Sequence, residues 1–568
     1  RLEMLRGRMD RMTAPAHALV GTHADTLAKA RAAIAERGYW SAYPESPSPR
    51  VYGESAAADG KKAFEAYLSS AFPLEQPGTK GEVSSEVSPF GVDLGVTYPH
   101  GDVDALVLAA RAAMPEWRDA GPDVRTAVCI EILARLHEHI FELANAVHVT
   151  TGQAFVMAFQ AGGAHALDRA LEAIAYAHAE MTRHPAQADW EKPAGKGDSL
   201  RMSKTFHVVP RGVALVIGCN TFPTWNSYPG LFASLATGNA VIVKPHPGAV
   251  LPLAITVKLA REVLADAGFD PNLVLLAPEE PGEKIASTLA THPEVKIIDF
   301  TGSTAYGEWL ERNARQASVY TEKAGVNTIV IDSTDDFRGM CSNIAFSLTL
   351  YSGQMCTTPQ NILVPRDGIE TESGHLSFDE VAAGIAGAVS KLTGDDARAV
   401  ELTGAIVNEA VVSRIDAARS HGTVLLDSRE VAHPTYPSAV VRTPLLLTQD
   451  AANEGMFDSE WFGPITFIVA TDSTAQSLDI FRRIVGRKGA LTAAIYSTDP
   501  GVLDAMEAAT IDVGVHLSCN LTGGVFVNQS AAFSDFHASG ANAAANAALT
   551  DGAYVANRFR VVQSRRHN

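Results

Sequence analysis

The chain has 568 residues and a mass of 60.2 kDa, and 46% of its residues are hydrophobic, enough for two or three domains with large buried cores. Its formal net charge of −18 opposes nucleic acid and anionic membrane surfaces as general partners. The five cysteines (Cys129, Cys219, Cys341, Cys356, Cys519) are odd in number and never paired as CxxC, which argues against a disulfide framework or a zinc knuckle and fits a reducing cytoplasm.

No apolar run approaches the ~18 residues of a membrane span, and no signal-peptide core opens the chain, so a soluble, unexported protein is expected. The first residue is not Met. Met12 offers itself as a natural start, and the fold reading leaves out what precedes it. Residues 13–40 predict a helix ending near "RGYW". The Pro- and Ser-rich "SAYPESPSPRVYGES" predicts an extended surface segment, and "KKAFEAYLSSAF" one more helix. From Asp102 onward, "DVDALVLAARAAMPEW" and "DVRTAVCIEILARLHEHIFELANAVHV" carry apolar residues at helical spacing. The polar stretch 183–210 predicts a projecting hairpin. Then "VALVIG", "AVIVK", "LVLLA", "KIIDF" and "NTIVIDS" alternate with helical patterns, as they do in βαβ units of a parallel sheet. The alternation resumes in "NILVP", "TFIVA" and "LTAAIYS", predicting a second α/β domain.

A parallel sheet offers ligand sites at the carboxyl ends of its strands, where helices begin. In "KIIDFTGSTAYG", Gly302, Ser303 and Thr304 lead from strand to helix and could face a diphosphate or nicotinamide; an ordinary strand-to-helix turn has the same pattern, and neither GxGxxG nor GK[ST] is present. "GNAVIVKPHPGA" ends a strand at Lys244, either a solvated terminus or a cofactor contact. In "YSGQMCTTPQN", Cys356 falls on a loop between helix and strand, either as a small buried residue or as a nucleophile. The "HEHI" at His137 to Ile140 is not HExxH, and its histidines read as surface groups, so no metal site is expected.

Taken in order, "PRGVALVIGCNTFPTW", "LATGNAVIVKPHP", "FTGSTAYG", "TEKAGVNTIVI", "SGQMCTTPQ" and "SEWFGPITFIV" resemble the aldehyde dehydrogenase superfamily over roughly residues 100–565, with Glu322 and Cys356 at the family's separation of 34 residues. Within it, "RGYWSAYPESPSPRVYGE" and "NQSAAFSDFHASGANAAANAAL" resemble the phenylacetic acid degradation protein PaaN group. The resemblance implies an α/β, aldehyde dehydrogenase-like fold of two doubly wound parallel-sheet domains plus a small projecting oligomerisation hairpin. Its parts are an N-terminal extension (1–95), a dinucleotide-binding domain (96–182 and 211–320), a catalytic domain (321–538), and oligomerisation elements with the C-terminal tail (183–210 and 539–568). The run "NRFRVVQS" is expected to meet the hairpin across the interface of a homodimer or homotetramer.

The activity so implied is NADP- or NAD-dependent oxidation of a small-molecule aldehyde to a carboxylic acid, the substrate being in one version a CoA-linked semialdehyde from aromatic acid catabolism. Cys356 is the nucleophile, its anion favoured by backbone N–H groups and by the hydroxyls of Thr357 and Thr358. Glu322 is the base that activates water against the thioester, Glu460 holds the nicotinamide ribose, and Phe462 packs near that ring. The oxyanion donor is Asn220 or, since the residue immediately before "FP" is Thr221, that hydroxyl or the backbone. Pro247 stands where NAD-preferring members carry Glu, so Lys244 and His246 should attract the 2′-phosphate and NADP should serve as well as NAD or better. The rival readings are a CoA-acylating dehydrogenase, against which Glu322 speaks, a cysteine hydrolase using Cys356 with a histidine, and a binding or scaffold protein.

Overall fold

The computed structural model describes residues 14–195 and 197–567; Met12 and the residues before it lie outside them. Five parallel strands form the first sheet, in the order Val274–Leu276, Val241–Lys244, Val213–Ile217, Val295–Thr301, Ser318–Glu322. The "VALVI" strand is buried at every residue because helices cover both faces of the sheet, so alternation with polar residues is absent from its sequence. All five strands bring their carboxyl ends to one edge, which therefore carries Lys244, Thr301 and Glu322.

The second sheet has seven strands, in the order Thr423–Leu426, Leu445–Asp450, Ile465–Thr471, Asn361–Pro365, Thr328–Ile331, Thr492–Tyr496, His516–Cys519. Only the first pair is antiparallel. Residues 323–327 are the sole link between the last strand of one sheet and Thr328 of the other, so Glu322 sits on the seam between them. No helix among the described residues is long and apolar enough to cross a membrane.

Several local expectations change. The N-terminal helix divides into Ala14–Thr22 and Ala24–Glu36, and it stops where Arg37 turns left-handed (φ 57°) with its N–H on Ala33 O. A short helix, Pro49–Tyr52, forms inside the stretch expected to be extended, and the next, Ala56–Glu65, ends before "YLSSAF". The long pattern from Asp123 breaks at His139, giving Gly121–Glu138 and Ile140–Thr151. Neither histidine of "HEHI" is a free surface group: His137 lies between the Tyr43 and Tyr52 rings, 3.1 Å from Tyr52 Oη, and His139 pairs with Glu142 at 2.7 Å.

The hairpin forms from Gln187–Lys192 and Leu200–Pro210, but its third strand comes from the same chain. Phe559–His567 runs antiparallel to Leu200–Pro210, from Phe559 opposite Pro210 to His567 opposite Met202. The C-terminal run is returned to the hairpin by a buried cluster just before it. Arg558 donates to both carboxylate oxygens of Asp299 (2.7 and 2.6 Å) and to Ser234 Oγ (2.8 Å), and Tyr554 Oη donates to Asp299 at 2.7 Å. Gly230 lies inside the helix Pro223–Ala236 because a Cβ there would come within 2.5 Å of the Asp299 carboxyl carbon.

Removing one partner of this cluster leaves a buried charge uncompensated, at a cost of about 3–5 kcal/mol. Arg558→Ala should therefore lower the calorimetric unfolding temperature by several degrees, whereas Arg560→Ala, exposed at the start of the strand that follows, should leave it unchanged. Equal effects would mean that the cluster does not anchor the tail.

Candidate active site

Cys356 follows the helix Phe337–Thr349 through a turn in which Tyr351 (φ 53°) and Ser352 (φ 50°) are both left-handed. Such conformations persist only where the surroundings over-determine them. Here the Tyr351 hydroxyl donates to Thr151 O, Tyr351 N donates to Leu402 O at 2.9 Å, and Gln354 Nε2 donates to Ala405 O at 3.0 Å. Gly353 next in line passes so close to Gly463 that a Cβ would meet its carbonyl oxygen at 2.5 Å. Asn327 then fixes the loop to the second sheet. Its Nδ2 donates to Cys356 O (2.8 Å) and Thr358 O (3.0 Å), while its Oδ1 accepts Leu491 N–H and Thr492 N–H.

The structure brings Cys356 and Glu322 together and adds a residue from the tail, His537. Its Nε2 is 3.0 Å from Glu322 Oε2 and 4.0 Å from Cys356 Sγ, and Trp225 packs edge-on against the ring at 4.6 Å. Burial raises the Glu322 carboxyl's affinity for a proton, yet His537 and the Cys356 thiol outweigh it and hold the carboxylate below its ordinary range. Burial pushes the Cys356 thiol well above its usual value, and the Glu322 carboxylate beside it adds to the effect. Thr357 Oγ1 donates instead to Asn528 O at 2.8 Å. A Glu322 carboxylate oxygen lies within 4.8 Å of the Cys356 sulfur, close enough to take its proton. Lys323, the obvious salt-bridge partner in sequence, pairs with Glu311 at 3.0 Å. The sulfur, imidazole and carboxylate donors lie within 4.8 Å of one another, a set that would also suit a thiophilic cation at the expense of the nucleophile.

Cys356 and His537 open onto a cavity of about 600 Å³ walled by Trp225, Phe346, Phe526 and Met157. Asn220 does not reach it. Its side chain lies against Gly248, within 3.1–3.4 Å of where a Cβ there would stand, and its Oδ1 is buried without a partner. The residue that does line the cavity is Asn226, in the first turn of the helix Pro223–Ala236. Asn226 Oδ1 accepts the Cys219 thiol, leaving a buried Nδ2 with no partner. Asn226 also borders the narrow space beside Glu322.

A second recess gathers Glu460, Phe462, Gly325, Gly353 and Gln360. Gln360 holds this segment, its Nε2 donating to Ser459 O (2.7 Å) and its Oε1 accepting Trp461 N–H (2.6 Å). Burial lifts the Glu460 carboxyl to about 7, against the pull of Gly325 N–H and Arg414 and with help from the Glu322 charge. At the edge of the first sheet, Lys244 is buried in an ion pair with Glu279, and Glu279 Oε2 also accepts Ala286 N–H at 3.3 Å. His246 Nδ1 accepts Gly248 N–H at 3.0 Å, so that nitrogen carries no proton, and the ring adds no cation. Gly302 N–H bonds Glu322 O at 3.0 Å, and Ser303 Oγ caps the helix Thr304–Asn313. This edge, with the unpartnered Asn220 oxygen on it, fits a dinucleotide as an extended polar ligand.

Sequence reasoning missed His537, Asn226, Asn327 and Glu279. His537 lies in an irregular tail with no period to read, and nothing in one dimension places it near Glu322. Asn226 was hidden among apolar residues of a helix, although an amide at such a position is itself a signal.

Residues 95–553 match the family model for the aldehyde dehydrogenase family. Among curated proteins, the chain is 26% identical over 387 residues to N-succinylglutamate 5-semialdehyde dehydrogenase of Yersinia pseudotuberculosis, covering 67% of this chain and 71% of that one. Among solved structures, it is similar to an NAD-dependent aldehyde dehydrogenase from Burkholderia multivorans (TM-score 0.96, 63% identity, 97% of this chain and 99% of that chain). It shares its fold with a 1-pyrroline-5-carboxylate dehydrogenase from Thermus with bound NAD (TM-score 0.70, 19% identity, 94% and 99%). With the parallel sheets, the seam and the Cys356–Glu322 contact in view, these matches establish that the chain belongs to the aldehyde dehydrogenase family.

Proposed function

We propose that the protein oxidises an aldehyde to a carboxylic acid with NAD, through covalent capture on Cys356. The observation that carries the reading is the buried contact of Glu322 with both the Cys356 thiol and His537. Glu322 takes the thiol proton as Sγ attacks the carbonyl carbon, and Asn226 Nδ2 donates to the developing alkoxide. The bound nicotinamide supplies the hydride acceptor. Glu460 and Phe462 orient it from their recess, and Glu322, once it has passed the thiol proton to solvent, activates the water that releases the acid. The buried Glu322 favours hydrolysis over transfer of the acyl group to CoA.

A cysteine hydrolase is the second reading, because His537 stands 4.0 Å from Cys356 Sγ. Against it, the same Nε2 faces both Glu322 and the sulfur, whereas an orienting carboxylate in such enzymes bonds the opposite ring nitrogen. Turnover that needs no oxidised nicotinamide would favour the hydrolase.

For the substrate, the likeness of the extension and tail to the PaaN group supports a semialdehyde from aromatic acid catabolism whose distant carboxyl is masked as a CoA thioester. Among the described residues lining the cavity there is no Lys or Arg to receive a free carboxylate. For the cofactor, Glu279 supplies next to Lys244 the carboxylate that Pro247 lacks, which supports NAD over the NADP preference read from the sequence. The Burkholderia structure's description as NAD-dependent supports the same choice. A homodimer or homotetramer is supported by the exposed edge strand Gln187–Lys192, which leaves backbone groups open to a second copy. The free cysteines support a cytoplasmic setting.

Cys356→Ser should abolish NADH formation. Glu322→Gln should slow both alkylation of Cys356 by iodoacetamide and steady-state oxidation, each by about 10²-fold or more. Unchanged alkylation would remove Glu322 from thiol activation and leave it only the hydrolytic step.

Replacing Glu279 with Gln should raise kcat/KM for NADP relative to NAD by about tenfold, since about 1.4 kcal/mol of repulsion is lifted from the 2′-phosphate. An unmoved ratio would place the adenosine ribose away from Glu279.

Glu460 is neutral below about pH 7 and a carboxylate above it. A carboxylate is the stronger acceptor for ribose hydroxyls, so KM for NAD should fall as pH rises through that value, and Glu460→Gln should flatten the profile. A wild-type KM that is level from pH 6 to 8 would contradict the assignment.

A further inference from the structure

The cavity that holds Cys356 is closed on one side by Tyr39, Trp40, Ser41 and Glu45, from a segment that precedes the family match at residue 95. This segment is built into the site. Arg37 donates to Tyr176 Oη at 2.7 Å and lies 3.9 Å over the Phe536 ring, next to His537. Trp40 packs edge-on against Phe533 at 4.7 Å. Asp168 accepts Ser41 Oγ (2.6 Å) and Ala42 N–H (2.9 Å), and Glu45 is taken up by His165 at 2.6 Å. Tyr39 alone is left open, with 77% of its surface exposed at the cavity mouth.

The far wall has the same character. Phe346 and Phe526 stack at 3.9 Å, and Val525 is 62% exposed beside them. Glu401 and Asp535 on the lining are exposed and would repel a carboxylate brought beside them.

We propose that Tyr39 and Trp40 form an outer subsite for the distal part of the substrate, one that takes a long or flat, uncharged acyl group and turns away an aldehyde ending in a free carboxylate. This rests on the aldehyde-oxidising reading and adds to it the segment that chooses the substrate. The aromatic faces offer contact area to hydrocarbon or a ring, and among the described residues the lining offers no Lys or Arg to an acid.

The test uses the full chain with saturating NAD and compares kcat/KM for acetaldehyde, octanal and phenylacetaldehyde, and for succinic semialdehyde against its methyl ester. Wild type should favour the two larger aldehydes over acetaldehyde and the ester over the acid. Tyr39→Ala and Trp40→Ala should each lower the octanal-to-acetaldehyde ratio by about tenfold, mainly through KM for octanal. Trp40 also supports the tail through Phe533, whereas Tyr39 has no such load, so a loss confined to Trp40→Ala and equal for all aldehydes would reveal a structural role only and overturn the subsite. Preference for the free acid, or unmoved ratios in both variants, would overturn it while the oxidation reading stands. A wild type that reduces NAD with none of these aldehydes would overturn both.

Discussion

The five residues between Glu322 and Thr328 carry the chain from one parallel sheet to the other, and the geometry of the site depends on that short crossing. Glu322 must stop at the carboxyl edge of the first sheet, because its backbone pairs there with Thr301 and receives Gly302 N–H. Asn327, at the other end, must begin the second sheet while gripping the Cys356 loop through two donated and two accepted hydrogen bonds. With both ends pinned, Glu322 and Cys356 meet although one ends a strand of the first sheet and the other lies on the loop leading into the second. The buried amide of Asn327 is therefore a positioning group: leaving its polar atoms or its partners unsatisfied would cost on the order of 1–3 kcal/mol each.

Electrostatics at the seam run against the simplest picture of a thiolate enzyme. Glu322 and Glu460 lie near the sulfur, and burial raises the cost of charge there, which pushes the Cys356 thiol above its usual value. What the site provides is a nearby acceptor with depressed basicity, Glu322, stabilised by His537.

Long-range packing links the two ends of the chain to this centre. Arg169, buried with Glu172, donates to Asp535 O and Ser530 Oγ, and Phe533 N–H returns to Glu172, which fixes the irregular loop that carries His537. The N-terminal segment braces the same loop through Arg37 and Trp40. Both termini thus act on one histidine, and neither has a period that would mark it in the sequence.

The α/β class, the alternation of strand and helix, and the pairing of Cys356 with Glu322 were legible in the chain because each rests on local patterns: β-branched runs, strand ends, and ordered motifs at fixed spacing. The helix breaks at His23 and His139 were not, since apolar periodicity continues through them and only ion pairs with Glu131 and Glu142 mark the interruption. Asn220 was chosen by nearness in sequence to "FP", but the turn into the helix aims it at Gly248 and gives the cavity to Asn226 one turn further on. Lys244 looked free beside an uncharged Pro247 until the adjacent strand brought Glu279 to it. Sequence alone determined the α/β class and drew attention to Cys356 and Glu322. Tertiary structure decided the charges and donors facing them, because those come from segments tens to hundreds of residues away that only the sheet edges and the buried tail bring into contact.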